Sequence, residues 1–205
     1  MLKKNYVPGK MNLNKIKVSR SYVGNKIKTS DMTICLNTYT PNRYLGHASF
    51  EAQMTHDYIL SFKSGRSAAQ KRAAREVCLA LSMTDMENVV FACVPASCNR
   101  TNTLRYRNFA QMVCERTGAT NAYGHIIING KRSKLHRSKA HMVCDAANEE
   151  IHLDPDMFNA SAKVLLFDDI VSSGKSMREF AKLVEETGAK VIGGIALGHT
   201  KHYKH

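Results

Sequence analysis

The sequence predicts an α/β fold built on a doubly wound, mostly parallel sheet. Apolar runs of strand length alternate along the chain with longer segments of helical period, and this alternation is typical of parallel sheets covered by helices. The length agrees, because 205 residues of 43% hydrophobic composition suffice for one α/β domain that buries roughly 70% of its unfolded surface. Ligands of such folds bind beyond the carboxyl ends of the strands.

The first half of the chain contains two predicted strands and one predicted helix. Residues 33–40 read as a strand, and residues 57–66 (DYILSFKSGR) as a strand or turn that leads into a helix. That helix covers residues 67–83, where Ala73, Val77 and Leu81 recur at helical spacing on one face. Residues 89–95 are an uninterrupted apolar run, which predicts a buried strand.

The second half continues the alternation. A helix is predicted over residues 105–117, with Phe109, Met112 and Val113 as its core face and Gly118 as its end. Residues 131–141 are polar, basic and without periodicity, so they are expected to form a loop. Strands are predicted at residues 126–128, 164–167 and 191–197, and a second helix at residues 175–186.

Positive charge is concentrated in two stretches of a chain whose net charge is +13. Residues 1–30 contain eight lysines and arginines and no acidic residue, and residues 100–139 are opposed only by Glu115. Such clusters are typical both of nucleic-acid contacts and of lids that grip pyrophosphate. For the N-terminal arm, nucleic acid and solubility stay equally open. For Arg105 and Arg107, their position favours the active site.

Composition also bounds the compartment. No apolar run approaches the roughly 18 residues of a membrane span, so we expect a cytoplasmic protein without a membrane partner. The six cysteines show no close-paired framework, which favours reduced thiols. Histidines at 199, 202 and 205, and a loose group of His136, His141 and Cys144, match no dependable zinc spacing.

The most informative stretch is VLLFDDIVSSGKSM, residues 164–177. A buried strand leads into Asp168 and Asp169, and a turn of small residues then opens a helix. Backbone N–H groups converge at such a strand-to-helix turn, where the helix dipole adds to the attraction for an anion. Because two carboxylates would repel a bare phosphate, a ribose phosphate fits better. Its hydroxyls can donate to the carboxylates while its 5′-phosphate occupies the turn.

Two other interpretations of this turn are weaker. Gly174-Lys175-Ser176 is similar to the end of a P-loop, but position 169 is Asp where that motif needs glycine. An ordinary βα turn with a serine cap explains the small residues. It does not explain two adjacent aspartates, which would need a basic neighbour if they were buried.

The motif resembles the 5-phosphoribosyl-1-pyrophosphate (PRPP) motif of type I phosphoribosyltransferases. The order FKSGR, VPAS, LRYRNFAQ, HRSKAHMV and FDDIVSSGKSM most resembles ComF-type proteins, over about residues 57–200. The resemblance implies a phosphoribosyltransferase-like domain over residues 57–205, preceded by a basic arm and hood-like segment over residues 1–56. A homodimer is left open.

The resemblance also implies roles for particular residues. Asp168 and Asp169 would hold the ribose hydroxyls, with Arg105 and Arg107 closing over the leaving group and Tyr106 stacking on a base. Mg²⁺ would bridge substrate oxygens with few protein ligands, Asp168 and Asp169 being the candidates. The 5′-phosphate turn would comprise Ser172, Ser173, Gly174, Lys175 and Ser176, and the pyrophosphate loop Ala96, Ser97, Cys98 and Asn99.

Departures from the family limit what can be transferred. Ser172 stands where purine-salvage members commonly have an Asp that acts on the base, and Cys35 is the only cysteine in residues 1–77, so no N-terminal zinc finger forms. Two functions therefore remain. One is transfer of ribose 5-phosphate from PRPP to an unidentified base, with release of pyrophosphate. The other is non-catalytic binding of PRPP, a nucleotide or single-stranded nucleic acid, the last through the basic arm and loop, in DNA uptake or regulation.

Overall fold

A five-stranded parallel sheet forms the centre of the fold. The computed structural model describes residues 33–129 and 150–200. The strands of this sheet are β1 (Thr33–Tyr39), β2 (Val89–Cys93), β3 (Thr120–Asn121), β6 (Lys163–Val171) and β7 (Lys190–Thr200), and the helices are α1 (Phe50–Lys63), α2 (Ser67–Leu81), α3 (Asn99–Thr117) and α4 (Lys175–Glu186). The strand order is β1-β7-β6-β2-β3, and every neighbouring pair runs parallel, which confirms the predicted α/β class.

A second, antiparallel pair of strands lies outside this sheet. It joins β4 (Ile126–Asn129) to β5 (Glu150–Leu153). The strand expected at residues 126–128 is therefore confirmed, while its partner β5 was not predicted. Side chains of β4 alternate between buried Ile126 and Ile128 and exposed Ile127, a pattern typical of an antiparallel strand covered on one face.

The expectation of a strand or turn at residues 57–66 is wrong, because α1 occupies most of that stretch. The helix begins after Ser49, whose hydroxyl accepts a hydrogen bond from the Ala52 N–H at 3.3 Å. Its buried residues His56, Ile59 and Phe62 recur every three positions, which places them on one helical face. The aromatic and β-branched content of DYILSF favours a strand locally, but burial of this face selects the helix.

The other predicted elements of the described chain are present, α4 with the predicted bounds and the rest with shifted ends. Helix α2 stops at Leu81, two residues early, and α3 starts at Asn99, six residues before the predicted position. Strand β6 continues through both aspartates to Val171. The expected division after residue 56 falls inside α1, and β1 pairs with β7 in the main sheet. The basic arm up to residue 32 and the predicted loop at residues 131–141 lie outside the described residues.

The core consists of two layers, one on each face of the sheet. On one face, Phe62 and Phe109 of α1 and α3 pack with Phe91 and Phe167 of β2 and β6. On the other, α4 packs over alternate residues of β6 such as Val164 and Leu166. Within the described ranges, no helix combines the length and apolarity needed to cross a membrane.

Candidate functional site

A cleft of about 1070 Å³ opens at the carboxyl edge of the parallel sheet. The ends of β1, β2, β6 and β7 contribute to it, together with the first turn of α4. Because β2 and β6 are neighbours in the sheet, the loop after β2 and the turn after β6 face the same space. Twelve of the predicted site residues line the cleft: Ala96, Ser97, Cys98, Arg105, Tyr106, Asp168, Asp169, Ser172, Ser173, Gly174, Lys175 and Ser176.

The turn after β6 has the geometry of an anion-binding helix N-terminus. Gly174 precedes α4 with φ of 74°, a left-handed conformation that glycine adopts without a steric penalty. Ser173 accepts a hydrogen bond from the Lys175 N–H through its hydroxyl at 3.4 Å, and its carbonyl accepts from Arg178 at 2.9 Å. The turn therefore offers backbone N–H groups and hydroxyls at the positive end of a helix dipole.

The loop after β2 is shaped by a buried amide. Asn102 in the first turn of α3 is almost fully buried, and its side-chain oxygen accepts a hydrogen bond from the Ala96 N–H at 3.0 Å. This bond ties the loop to the helix that follows it. Ala96, Ser97 and Cys98 line the cleft, whereas Asn99 is the first residue of α3 and does not.

The two aspartates point to opposite faces of the sheet, since they are successive residues within β6. Asp169 lies on the face of Phe167, under α1 and α3, while Asp168 lies on the face of Leu166 and α4. Both line the cleft. They therefore have different neighbours, which the adjacency of their positions in the sequence does not indicate.

Asp169 is surrounded by hydrogen-bond donors. Its side chain is 5% exposed, and it forms ion pairs with Arg105 and with Lys63, the latter at 3.3 Å. The Tyr106 hydroxyl lies 3.5 Å from the same carboxylate. Burial, the largest single influence, lowers the pKa of Arg105, but Asp169, Tyr106 and Asp168 together outweigh it and raise the pKa. Asp169 thus has the basic partners that a buried carboxylate requires.

Asp168 has fewer partners. One of its carboxylate oxygens accepts a hydrogen bond from the Asp169 N–H at 2.8 Å. Burial, and secondly the negative charge of Asp169, raise the pKa of Asp168 to about 8. A carboxylate in this position gains from any cation or hydroxyl donor that enters the cleft, because the nearby charges of Lys63 and Arg105 compensate its burial only in part.

Two predicted roles do not fit the geometry. Arg107 is exposed and does not line the cleft, because residues two apart on a helix lie about 200° apart around its axis and Arg105 occupies the cleft side. Tyr106 is 1% exposed, with its ring packed edge-on against Phe167 at 6.2 Å. Its ring faces are held in the core, so Tyr106 contributes its hydroxyl and offers no surface for a base.

The sequence interpretation missed several residues that line the cleft, among them Tyr39, Lys63, Thr101 and Thr200. Lys63 lies within the FKSGR stretch, but a predicted strand or turn over residues 57–66 does not indicate where its side chain points. Its place at the end of α1 brings it to Asp169. Tyr39 and Thr200 are the last residues of β1 and β7, so only the strand order could have indicated them.

No group of three or more His, Cys, Asp or Glu residues suited to a metal occurs in ranges 33–129 and 150–200. A metal here would need to bring most of its oxygen ligands with it. Mg²⁺ is compatible with such a site, because it keeps several waters and binds through one or two carboxylates plus substrate phosphates. Of the two aspartates, Asp168 fits this donor role, since Lys63 and Arg105 already engage Asp169.

Comparison with known proteins gives structural similarities but no sequence match. No family model matches the chain, and no curated protein matches it. Among solved structures, it is similar to the adenine phosphoribosyltransferase from Thermoanaerobacter pseudethanolicus. The sequences are 18% identical, the alignment covers 65% of this chain and 70% of the other, and the TM-score is 0.42. The assignment to the α/β class comes from the parallel sheet described above.

Proposed function

We propose that the protein is a PRPP-dependent phosphoribosyltransferase. It would transfer ribose 5-phosphate from PRPP to a nitrogenous base and release pyrophosphate. The observation that carries the proposal is the meeting, in one cleft, of the 172–176 turn, the strand-end aspartates and the loop after β2. An anion-binding turn next to carboxylates suits a ligand that carries both phosphate and hydroxyl groups.

Each part of the cleft has a task in this reaction. Backbone N–H groups of the 172–176 turn bind the 5′-phosphate, and Asp168 accepts hydrogen bonds from ribose hydroxyls. The 96–98 loop, with Arg105 and Lys63 nearby, receives the pyrophosphate. As the C1′–O bond breaks, its electron pair leaves on pyrophosphate and C1′ gains positive character. Carboxylates beside the sugar stabilise that charge, and a base nitrogen then forms the C1′–N bond and releases its proton to solvent.

Mg²⁺ is the cofactor that this function implies. When bound, it neutralises pyrophosphate oxygens and so makes pyrophosphate a better leaving group. Asp168 is the residue that would hold it, directly or through water, in the manner set out above. Its raised pKa means that cation binding and loss of the Asp168 proton are coupled.

The second candidate is a non-catalytic protein of ComF type that binds PRPP, a nucleotide or single-stranded nucleic acid in DNA uptake or regulation. The ion pairs of Asp169 with Arg105 and Lys63 favour it, because they supply the basic neighbours that a purely structural carboxylate needs. Ser172, in the place of an acid that acts on purine bases, points the same way. Catalysis separates the two candidates, since both bind phosphate in the cleft.

Calorimetric titration with PRPP, in the presence and absence of Mg²⁺, tests the proposal. We expect metal-dependent binding that Asp168→Asn abolishes. Asp57→Asn, which alters an exposed aspartate of α1 outside the cleft, is the matched control and should bind as the wild type does. Pyrophosphate release in a screen of nucleobases would establish catalysis. If PRPP binds but no base causes release of pyrophosphate, the second candidate is favoured. If PRPP does not bind, the protein is neither a PRPP-dependent enzyme nor a PRPP-binding protein.

A further inference from the structure

The end of β1 presents an aromatic ring to the cleft. Tyr39, the last residue of β1, is half-buried and lines the cleft. The ring of His56 stacks on it, with 5.2 Å between ring centroids and 11° between ring planes. One face of the tyrosine is therefore covered from within the protein, while Tyr39 also lines the cleft.

The support behind this ring is rigid. His56 is 3% exposed, and its Nδ1 lies 2.8 Å from the Thr40 carbonyl oxygen. A carbonyl only accepts, so Nδ1 carries the proton and donates it. On the neighbouring strand, a Cβ at Gly198 would lie 3.2 Å from the Tyr39 Cβ and 2.7 Å from a methyl group of Ile59. Glycine at 198 leaves the space that the tyrosine side chain needs.

The strand order fixes where this ring lies relative to the proposed chemistry. Along the sheet, the loop after β2 lies on one side of β6, and β7 and then β1 lie on the other. Two strand spacings, about 10 Å, separate β1 from β6. Displacement at C1′ brings the incoming nitrogen from the side opposite the leaving group. With pyrophosphate at the β2 loop and the sugar at the end of β6, the acceptor enters from the side of Tyr39.

We infer that Tyr39, backed by His56, is the platform on which a planar heteroaromatic base stacks, and that the acceptor is therefore a nucleobase-like ring. The inference rests on the proposed function and adds the acceptor site to it. Burial, and then the charge of Asp169, raise the pKa of Tyr39, so the phenol stays neutral. The aromatic role expected for Tyr106 passes to a residue on the opposite flank of the carboxylates.

The experiment compares ribose 5-phosphate with the four common ribonucleoside 5′-monophosphates by calorimetry. All five ligands contain the ribose phosphate. The four nucleotides carry a base in addition, and they differ from one another only in that base. We expect at least one nucleotide to bind the wild type roughly 5- to 150-fold more tightly than ribose 5-phosphate, the range of one base stacked on an aromatic side chain. Tyr39→Leu and Tyr39→Met should remove this gain and leave the affinity for ribose 5-phosphate unchanged. Tyr39→Phe should keep both the gain with the nucleotide and the affinity for ribose 5-phosphate.

Each outcome has a defined meaning. If the gain persists in both non-aromatic variants, or if the wild type shows no gain with any nucleotide, Tyr39 is not the platform although the sugar-phosphate site stands. If the wild type does not bind ribose 5-phosphate, the proposed function fails and the inference fails with it. Equal affinity of every variant for ribose 5-phosphate shows that the replacements fold.

Discussion

At the scale of single residues, the distinguishing feature of this cleft is that two adjacent aspartates have different electrostatic surroundings. Asp169 has two cations and a hydroxyl around it, whereas Asp168 has a backbone N–H and the repulsion of its neighbour. A buried charge with partners contributes mainly to the fold, and a carboxylate without cationic partners is available to a ligand. Mutation of each should therefore affect different properties of the protein.

Arg105→Met tests the structural half of this division. The change leaves Asp169 buried with Lys63 as its remaining cation, so we expect the free energy of unfolding to fall by about 2 kcal/mol. Urea denaturation measures the loss. Arg107→Met is the matched control, because Arg107 is exposed on the same helix and should change stability by less than about 0.5 kcal/mol. Equal losses for the two variants would contradict the assignment of Asp169 to an internal ion pair.

Asp168 makes the stability of the free protein depend on pH. Its pKa is raised from 3.8 to about 8 by burial and by Asp169, so the folded state retains a proton that the unfolded state has lost. Its stabilising contribution is complete below the unfolded pKa and is lost as pH rises through the folded pKa. We expect a decline of up to about 1.4 kcal/mol per pH unit from this group.

Thermal unfolding across pH 5 to 8, measured without ligand, checks that sign. Asp168→Asn should flatten the decline in this interval, because an amide does not titrate. A wild-type protein that instead gains stability as pH rises, by an amount that Asp168→Asn removes, would show that Asp168 is ionised and stabilised in the fold.

At the scale of elements, the tight turn between α1 and α2 keeps α1 and α3 in contact beside the cleft. Gly65 has φ of 71°, and a Cβ there would lie 2.5 Å from both Cγ and the carbonyl oxygen of Leu104 in α3. The turn therefore brings α1, which carries Lys63, against α3, which carries Arg105. A side chain at position 65 would force apart the two helices that supply the partners of Asp169.

Gly65→Ala should lower the free energy of unfolding by more than the penalty for placing alanine in a left-handed backbone conformation. The conformational penalty of alanine at positive φ is about 1 to 2 kcal/mol, and we expect at least about 1 kcal/mol more from displacement of Leu104. Gly118→Ala separates the two contributions, because Gly118 has φ of 78° with nothing near its missing Cβ. Chemical denaturation of both variants gives the comparison, and equal losses would show that the backbone penalty alone explains Gly65.

The helices and the site also show which features the sequence could predict and which it could not. Helix α4 has the predicted bounds, because Met177, Phe180, Ala181 and Val184 form a strong helical stripe. Helix α1 was assigned wrongly, since DYILSF has the composition of a strand and only its packing under the sheet decides otherwise. In the site, local motifs predicted the 172–176 turn, but contacts between distant segments, such as Lys63 with Asp169, depend on topology.

At the scale of the whole molecule, the charge is distributed very unevenly. Residues 33–129 and 150–200 contain 15 lysines and arginines against 14 aspartates and glutamates, whereas the other parts of the chain hold 15 against 3. Nearly all of the net charge of +13 therefore belongs to residues 1–32, 130–149 and 201–205. The described sheet and helices are therefore close to neutral, and the N-terminus of α4 places the positive end of a helix dipole at the proposed phosphate turn.

This distribution predicts which residues a nucleic acid would contact. We expect the chain to bind a single-stranded oligonucleotide at about 50 mM salt, with a logarithmic affinity that falls by roughly 0.7 per phosphate neutralised as log salt rises. Replacing the eight basic residues of positions 3–28 by glutamine should reduce that slope, while Arg72→Gln and Arg75→Gln on α2 should leave it unchanged. Calorimetry with PRPP on the same variants should show unaltered binding, because the proposed PRPP site lies in the near-neutral part of the chain. An unchanged slope without the eight charges, or no binding of oligonucleotide by the wild type, would contradict a nucleic-acid role for this arm and leave solubility as its explanation.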